Sequence, residues 1–202
     1  MTQESIFRIG LLLLIVAFVA HRGYYTRKFG QNASTEAGAQ PPGPATSAAN
    51  LLALIGLLST ALAVFLPRWM DWAALPFPVW LRWAGFAIAA LGFALLQWAH
   101  NTLGRNWSDA PQILTGQRLV MNGPYRWVRH PIYTAFLLIL GSTLFISANW
   151  CVGAVWIGMT ALQVAQRIQF EERLMIDNFG DAYRAYMQRT ARLLPRLEIT
   201  GT

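Results

Sequence analysis

Residues 9–20, 51–66, 79–99, 131–148 and 150–165 hold a single charged side chain between them, Arg82. Hydrocarbon offers no water to a backbone N–H or C=O, so apolar runs of this kind must close their hydrogen bonds internally, as helices. Residues 51–66 would extend about 24 Å as a helix, slightly under a bilayer core of about 30 Å, and Pro67 stops them. Trp69, Trp72 and Trp80 follow, as residues of an interfacial aromatic belt. Residues 131–148 and 150–165 are separated by Asn149 alone, which predicts a tight antiparallel helical hairpin. The expected fold is therefore an all-α integral membrane protein of about five transmembrane helices, with a helical cap formed by the C-terminal region.

The rest of the chain divides around these runs. Residues 1–28 contain the first span and its flank. A cleaved signal peptide is the rival reading for 9–20, but Glu4 is acidic where a signal peptide is basic, and Phe18 stands where cleavage needs a small residue. A retained span is expected. Residues 29–50, rich in Gly, Ala, Ser, Pro and Gln, read as a flexible linker. Residues 51–100 carry the second and third spans, and Arg82 is expected to snorkel from the third. Residues 101–202 hold the remaining polar loops, the hairpin and an amphipathic, arginine-rich tail.

Only 12% of the residues are charged, where a soluble domain has about a quarter. The net charge of +7 belongs to loops between spans rather than to a separate basic domain, so it is read as topology and not as a nucleic-acid footprint. With five spans and a cytoplasmic C-terminus, inner segments carry thirteen of the sixteen Arg and Lys; only Arg8, Arg68 and Arg82 remain outside. This arrangement puts residues 123–133 and the tail on the same, cytoplasmic side, in what would be a prokaryotic inner membrane. Cys151, the one cysteine, excludes an internal disulfide framework and a multi-cysteine metal site. No metal is expected, and the oligomeric state is not legible.

Chemistry concentrates in two places. Residues 123–133 read Gly-Pro-Tyr-Arg-Trp-Val-Arg-His-Pro-Ile-Tyr, a density of hydrogen-bonding groups and fixed proline φ angles that a connector at a membrane edge does not need. In the tail, Glu171 and Glu172 begin where the last apolar run ends. Gly180 suits a helix break, and Asp181 can cap a new helix with Tyr183 and Tyr186 on one face. A purely lipid-binding surface gains nothing from paired carboxylates beside anionic headgroups.

Taken in order, Gly123-Pro124-Tyr125, Arg129-His130-Pro131 with Tyr133, Glu171-Glu172 with Leu174, Phe179-Gly180 with Tyr183 and Tyr186, and Leu194-Pro195 resemble the isoprenylcysteine carboxyl methyltransferase family, grouped with the phospholipid methyltransferases. Leu103-Gly104-Arg105-Asn106-Trp107 looks like that family's entry into its cytoplasmic region. The resemblance covers about residues 95–197. It implies an integral membrane methyltransferase, in the first place a carboxyl O-methyltransferase, with S-adenosylmethionine in a cytoplasm-facing pocket and a lipophilic acceptor arriving from the bilayer. This agrees with the absence of a strand followed by a Gly-x-Gly turn, the mark of a nucleotide-binding Rossmann unit.

By the resemblance, His130, Tyr133, Glu171 and Glu172 lead the cofactor-pocket candidates, with Gly123, Pro124, Tyr125, Pro131, Tyr183 and Tyr186 around them. Tyr183 and Tyr186 either touch cofactor or pack at the interface. The expected catalytic residues are Arg129, Glu171 and Glu172. Arg129 could hold an isoprenylcysteine-like carboxylate bidentately. Glu171 or Glu172 could take the proton of an amine in a lipid headgroup. Arg126, Arg189 and Arg192 read as lipid or topology charges, and His100 as an interfacial residue outside the site. Two other readings stay open. Membrane sterol-type NADPH reductases also carry an Arg-His-Pro-x-Tyr element, and a non-enzymatic scaffold could use the basic tail to bind membrane lipids.

Overall fold

The computed structural model describes residues 2–29, 35–37, 44–108 and 111–196. Six α-helices dominate among the described residues: α1 (Gln3–Phe29), α2 (Pro44–Phe65), α3 (Val79–Leu103), α4 (Pro131–Ser147), α5 (Trp150–Phe179) and α6 (Asp181–Arg189). A two-stranded antiparallel ladder joins β1 (Thr35–Ala37) to β2 (Ile113–Leu114). The expected linker lies largely outside the described residues, at 30–34 and 38–43, and its last residues belong to α2, which starts at Pro44 rather than Leu51.

α4 is the centre of the bundle, packed along α3 and α5 and touching α1, while α2 packs on α5 and α1. The α3–α4 contact is close because α3 offers small residues at helical spacing. Gly85, Ala89, Gly92, Leu96 and Ala99 are all buried. A methyl group added at Gly92 would lie 2.7 Å from Ile139 Cγ1, and one at Gly85 2.8 Å from Ile146 Cγ1. Small residues let helix backbones approach where no hydrophobic effect drives them together.

The hairpin turn is made by two residues. Ala148 takes the left-handed conformation at φ 48°, and Asn149 Oδ1 accepts from Val152 N at 3.2 Å, capping α5. Asn149 Nδ2 donates to Met70 O at 2.9 Å, which ties the turn to the 3₁₀ segment Pro67–Ala73.

The long helices of the bundle carry apolar residues on exposed as well as buried faces. α1 buries Phe7, Leu11, Leu14, Ile15 and Phe18, yet also exposes Leu13, Val16 and Val19. Such a surface belongs in lipid. By length and apolarity α1 and residues 79–106 can cross a bilayer, and 50–65 with Pro67–Ala73, bent by 112°, makes a third if the pair is one span. α4 is apolar but has 17 residues, and α5 turns polar beyond residue 165.

Arg82 departs from its expected snorkelling. It is only 7% exposed, its Nε and Nη2 donate to Ile146 O at 3.2 and 3.1 Å, and Nη1 meets Glu4 Oε1 at 2.5 Å. Its guanidinium also lies 3.9 Å from the centre of the Phe7 ring. The exposed Glu4 carboxylate at the start of α1 and the Ile146 carbonyl near the end of α4 hold the guanidinium in place.

Filling the α3–α4 seam should therefore be costly. Gly92→Leu is expected to cost about 1–3 kcal/mol through overpacking, read as a lowered unfolding midpoint in detergent. A midpoint equal to wild type would show that the seam has room to yield.

Candidate active site

Residues 123–133 are shaped by one glycine and two prolines. Gly123 stands at φ 55°, and a Cβ there would meet Thr102 Oγ1 at 2.8 Å, so the loop can lie against the end of α3 only with glycine. Pro124 and Pro131 open the 3₁₀ turn Gly123–Arg126 and α4, where a missing N–H costs nothing. The next residues pair with the tail as backbone to backbone: Arg129 N donates to Ala191 O at 2.8 Å and His130 N to Arg192 O at 3.0 Å. Loop and tail are thus one structure.

Glu172 stands at the junction. It is 4% exposed, in the polar half of α5 beyond residue 165. Its Oε1 accepts from Arg129 Nε at 3.0 Å and Nη2 at 2.8 Å, and lies 3.3 Å from His130 Nε2. Its Oε2 accepts from Arg192 Nε at 3.1 Å and Nη2 at 2.8 Å. Burial alone would raise the carboxyl pKa, but hydrogen bonds from His130, Arg129 and Arg192 outweigh it and hold it down at about 2.

In front of this cluster opens a cleft of about 160 Å³. Tyr125, Arg129, His130, Pro131, Tyr133, Glu171, Tyr183 and Tyr186 all line it, together with Arg22, Trp107 and Phe136. Glu171 Oε1 accepts the Tyr133 hydroxyl, and its Oε2 lies 3.7 Å from His130 Nδ1. His130 therefore stands between the two glutamates. The rings of Tyr183 and Tyr186 meet at 5.8 Å, and the Tyr186 hydroxyl donates to Tyr125 O at 2.5 Å. Burial pushes the Tyr125 and Tyr183 hydroxyls well above their usual range and Tyr186 up to about 12. They remain donors at neutral pH.

Not every candidate faces the cleft. Gly123, Pro124 and Glu172 are absent from its lining and support it from behind. Arg129 reaches the wall, but its guanidinium is spent: besides Glu172 it donates through Nη1 to Met187 O at 3.2 Å and to Thr190 O. No fork is left to clamp a carboxylate. Arg192, expected as a surface charge, is the second cation on Glu172 although its side chain is 57% exposed. Asp181 does not cap α6 but pairs with Arg184 at 2.9 Å, and Gly180, at φ 53°, holds the N-cap position.

His100, expected as an interfacial residue outside the site, lies inside the bundle. It is 2% exposed, lines the cleft and stacks on Tyr25 with centroids 4.0 Å apart. The signal was in the chain, since His100 follows Leu96 by one helical turn on the same buried stripe as Gly85, Ala89 and Gly92.

The model of the Isoprenylcysteine carboxyl methyltransferase (ICMT) family matches residues 84–177, from within α3 to the end of α5. Methanethiol S-methyltransferase 1 of Bradyrhizobium diazoefficiens is 38% identical over 71 residues, 35% of this chain and 24% of that protein. Protein-S-isoprenylcysteine O-methyltransferase of Tribolium castaneum is 29% identical over 122 residues, 59% of this chain and 43% of that protein. The chain therefore spans less than half the length of either relative. The solved structure of the eukaryotic intramembrane Ras methyltransferase ICMT (isoprenylcysteine carboxyl methyltransferase) shares the fold, with a TM-score of 0.55 at 23% identity over 75% of this chain and 51% of that one. The chain resembles this family, and the matched stretch includes the 123–133 loop and both glutamates.

The Glu172 cluster predicts an acid response. Because the folded pKa of about 2 lies below the ordinary 4.5, its stabilisation is complete above pH 4.5 and drains as pH falls toward 2. Glu172→Gln should lose about 3 kcal/mol at pH 7, since it leaves a buried guanidinium unpaired. It should also flatten the fall in thermal midpoint between pH 4.5 and 2. A variant with the wild-type midpoint at both ends of that range would show that the cluster contributes nothing net.

Proposed function

We propose that this chain is an integral membrane methyltransferase that draws its methyl group from S-adenosylmethionine and delivers it to a lipophilic acceptor. The observation that carries the reading is the cleft itself, built where the 123–133 loop meets the polar end of α5 and α6, within and beside the stretch that resembles the family. S-adenosylmethionine, when bound, supplies an electrophilic methyl group on a sulfonium. Such a donor arrives activated, so the protein has mainly to align it and exclude water.

The lining suits that molecule. Glu171, which accepts the Tyr133 hydroxyl, offers its remaining carboxylate lone pairs to the ammonium group, and Tyr183 lines the cleft with it. The rings of His130, Tyr133 and Tyr186 line the cleft, where aromatic groups suit an adenine or a sulfonium charge. Tyr125 and Pro131 fix the walls. Gly123 and Pro124 act through loop shape, while Arg129 and Glu172 act as a brace that keeps His130 in position. In this reading Glu171 is the site's acidic group and Arg129 holds no substrate.

The apolar helices are taken as five spans, with α4 and the apolar half of α5 inserted as a hairpin. The arginine distribution supports a C-terminus and cleft on the cytoplasmic side, in a prokaryotic inner membrane. α6 and the tail are then the cytoplasmic cap. The names of these relatives point to methanethiol and isoprenylcysteine, one a thiol and the other a lipidated amino-acid carboxylate. Common to both is a sulfur-bearing acceptor.

Calorimetry with S-adenosylhomocysteine tests the reading. Purified protein should bind it, and His130→Ala or Glu171→Ala should weaken binding roughly tenfold or more, the worth of a charge-assisted hydrogen bond. Failure to bind in both detergent and lipid would overturn the methyltransferase assignment.

A further inference from the structure

A second cavity lies at the other end of the bundle from the cleft. The start of α1, the Pro67–Ala73 segment, the start of α3 and the α4–α5 turn enclose it. It holds about 340 Å³, the room of roughly ten liquid waters. Arg82 lines it with a side chain that is 9% exposed. Of the five N–H groups of an arginine, two go here to Ile146 O and one to Glu4. The other two have no acceptor among the described residues, although a buried donor needs one. Arg8 and Asp71 line the same cavity, and neither side chain has a partner among the described residues.

Arg8 and Arg82 give this lining two cations, and Glu4 and Asp71 give it two carboxylates. Glu4 sits on Arg82, so a simple anion drawn to that guanidinium would also meet a like charge. A ligand carrying both signs avoids the repulsion. Deeper in, the lining turns apolar, with Leu11 about 10 Å along α1 from Glu4, and Ala63 facing it from α2. Trp69 and Trp72, beside the lining residues Met70 and Asp71, are 71% and 66% exposed, as side chains at the headgroup level of a bilayer are.

We infer that this cavity binds a phosphoethanolamine headgroup, a phosphate ester with a primary ammonium, from a phospholipid in the leaflet opposite the cleft. Its phosphate oxygens accept from the unmet N–H groups of Arg82 and from Arg8. Its ammonium donates to Asp71 and to the remaining lone pairs of Glu4. A trimethylammonium has no N–H to give these carboxylates, and a glycerol headgroup has no cation. The apolar depth and the exposed tryptophans suit a lipid rather than a soluble phosphate ester, since a glycerol backbone and acyl chains need that surface. The bound headgroup ties the start of α1 to the Pro67–Ala73 segment across the mouth of the cavity.

Native mass spectrometry of protein released from nanodiscs reads the preference. The discs hold equal amounts of phosphatidylethanolamine, phosphatidylcholine and phosphatidylglycerol with the same acyl chains. Wild-type protein should retain phosphatidylethanolamine about fivefold over each of the others. Arg8→Gln combined with Asp71→Asn should bring that ratio close to one. A cooperative unfolding transition in phosphatidylcholine alone shows the variant to be folded; without it, Asp71→Asn by itself, at an exposed position, is read in the same way. Adding phosphatidylethanolamine to phosphatidylcholine discs should raise the unfolding midpoint of the wild type by mass action and leave that of the variant in place. Equal retention of the three lipids, a preference for phosphatidylglycerol, or a preference that survives the substitutions would overturn the inference. Displacement of the lipid by soluble O-phosphoethanolamine would overturn the choice of a lipid as its source. Neither measurement involves methyl transfer, so their outcome is separate from that of the methyltransferase reading.

Discussion

One carboxylate holds the functional end of this molecule together. Glu172 is buried where a lone charge would cost several kcal/mol, and it is tolerable only because two guanidinium groups and an imidazole converge on it. The partners come from two separate pieces of chain: Arg129 and His130 from the loop entering α4, Arg192 from the tail beyond α6. The carboxylate thus does for the tail what a disulfide does in a secreted protein. Once it is satisfied, the tail backbone lies alongside Val128–His130, Tyr186 reaches the Tyr125 carbonyl, and the cleft acquires its floor.

The bundle beneath follows a different logic. Its outer surface is as apolar as its interior, so burial of hydrocarbon does not tell α3 which face to turn toward α4. Close approach does: glycines at 85 and 92 admit Ile146 and Ile139, and dispersion contacts replace the missing hydrophobic drive. Polar side chains then act as sparse anchors. Arg82 ties α3 to Glu4 of α1 and to the end of α4, while Gln97 and Asn101 join Tyr25 at the opposite end of α1. In low dielectric such bonds are strong when complete and costly when broken.

Much of this is written locally in the chain, and some of it is not. Helices, the turn at Asn149, the break at Gly180 and the crowding of polar groups at 123–133 depend on near neighbours or on periodicity, and they can be read directly. Glu171 and Glu172 announce themselves by contrast with the apolar run before them. Which of the two faces the cleft is different. Adjacent residues on a helix point about 100° apart, and only the position of Arg129, 43 residues away, decides that Glu172 turns inward to be neutralised. Arg129 shows the reverse error: its chemistry suits a substrate clamp, but its partner is already in the protein. His100 was hidden because a histidine at a helix end reads as interfacial until α1 is seen to cover it.

The two-residue turn at Ala148–Asn149 leaves no slack between α4 and α5. His130 and Arg129 sit at one end of the first leg, Glu172 well along the second, and they meet because the legs are measured against each other. One residue added to either leg would rotate everything beyond it by about 100° and slide it by 1.5 Å, carrying Glu172 away from its cations. Over evolutionary time the lipid-facing positions of the hairpin can exchange one apolar residue for another, but the hairpin cannot change its count. Length, rather than composition, is what heredity must preserve here.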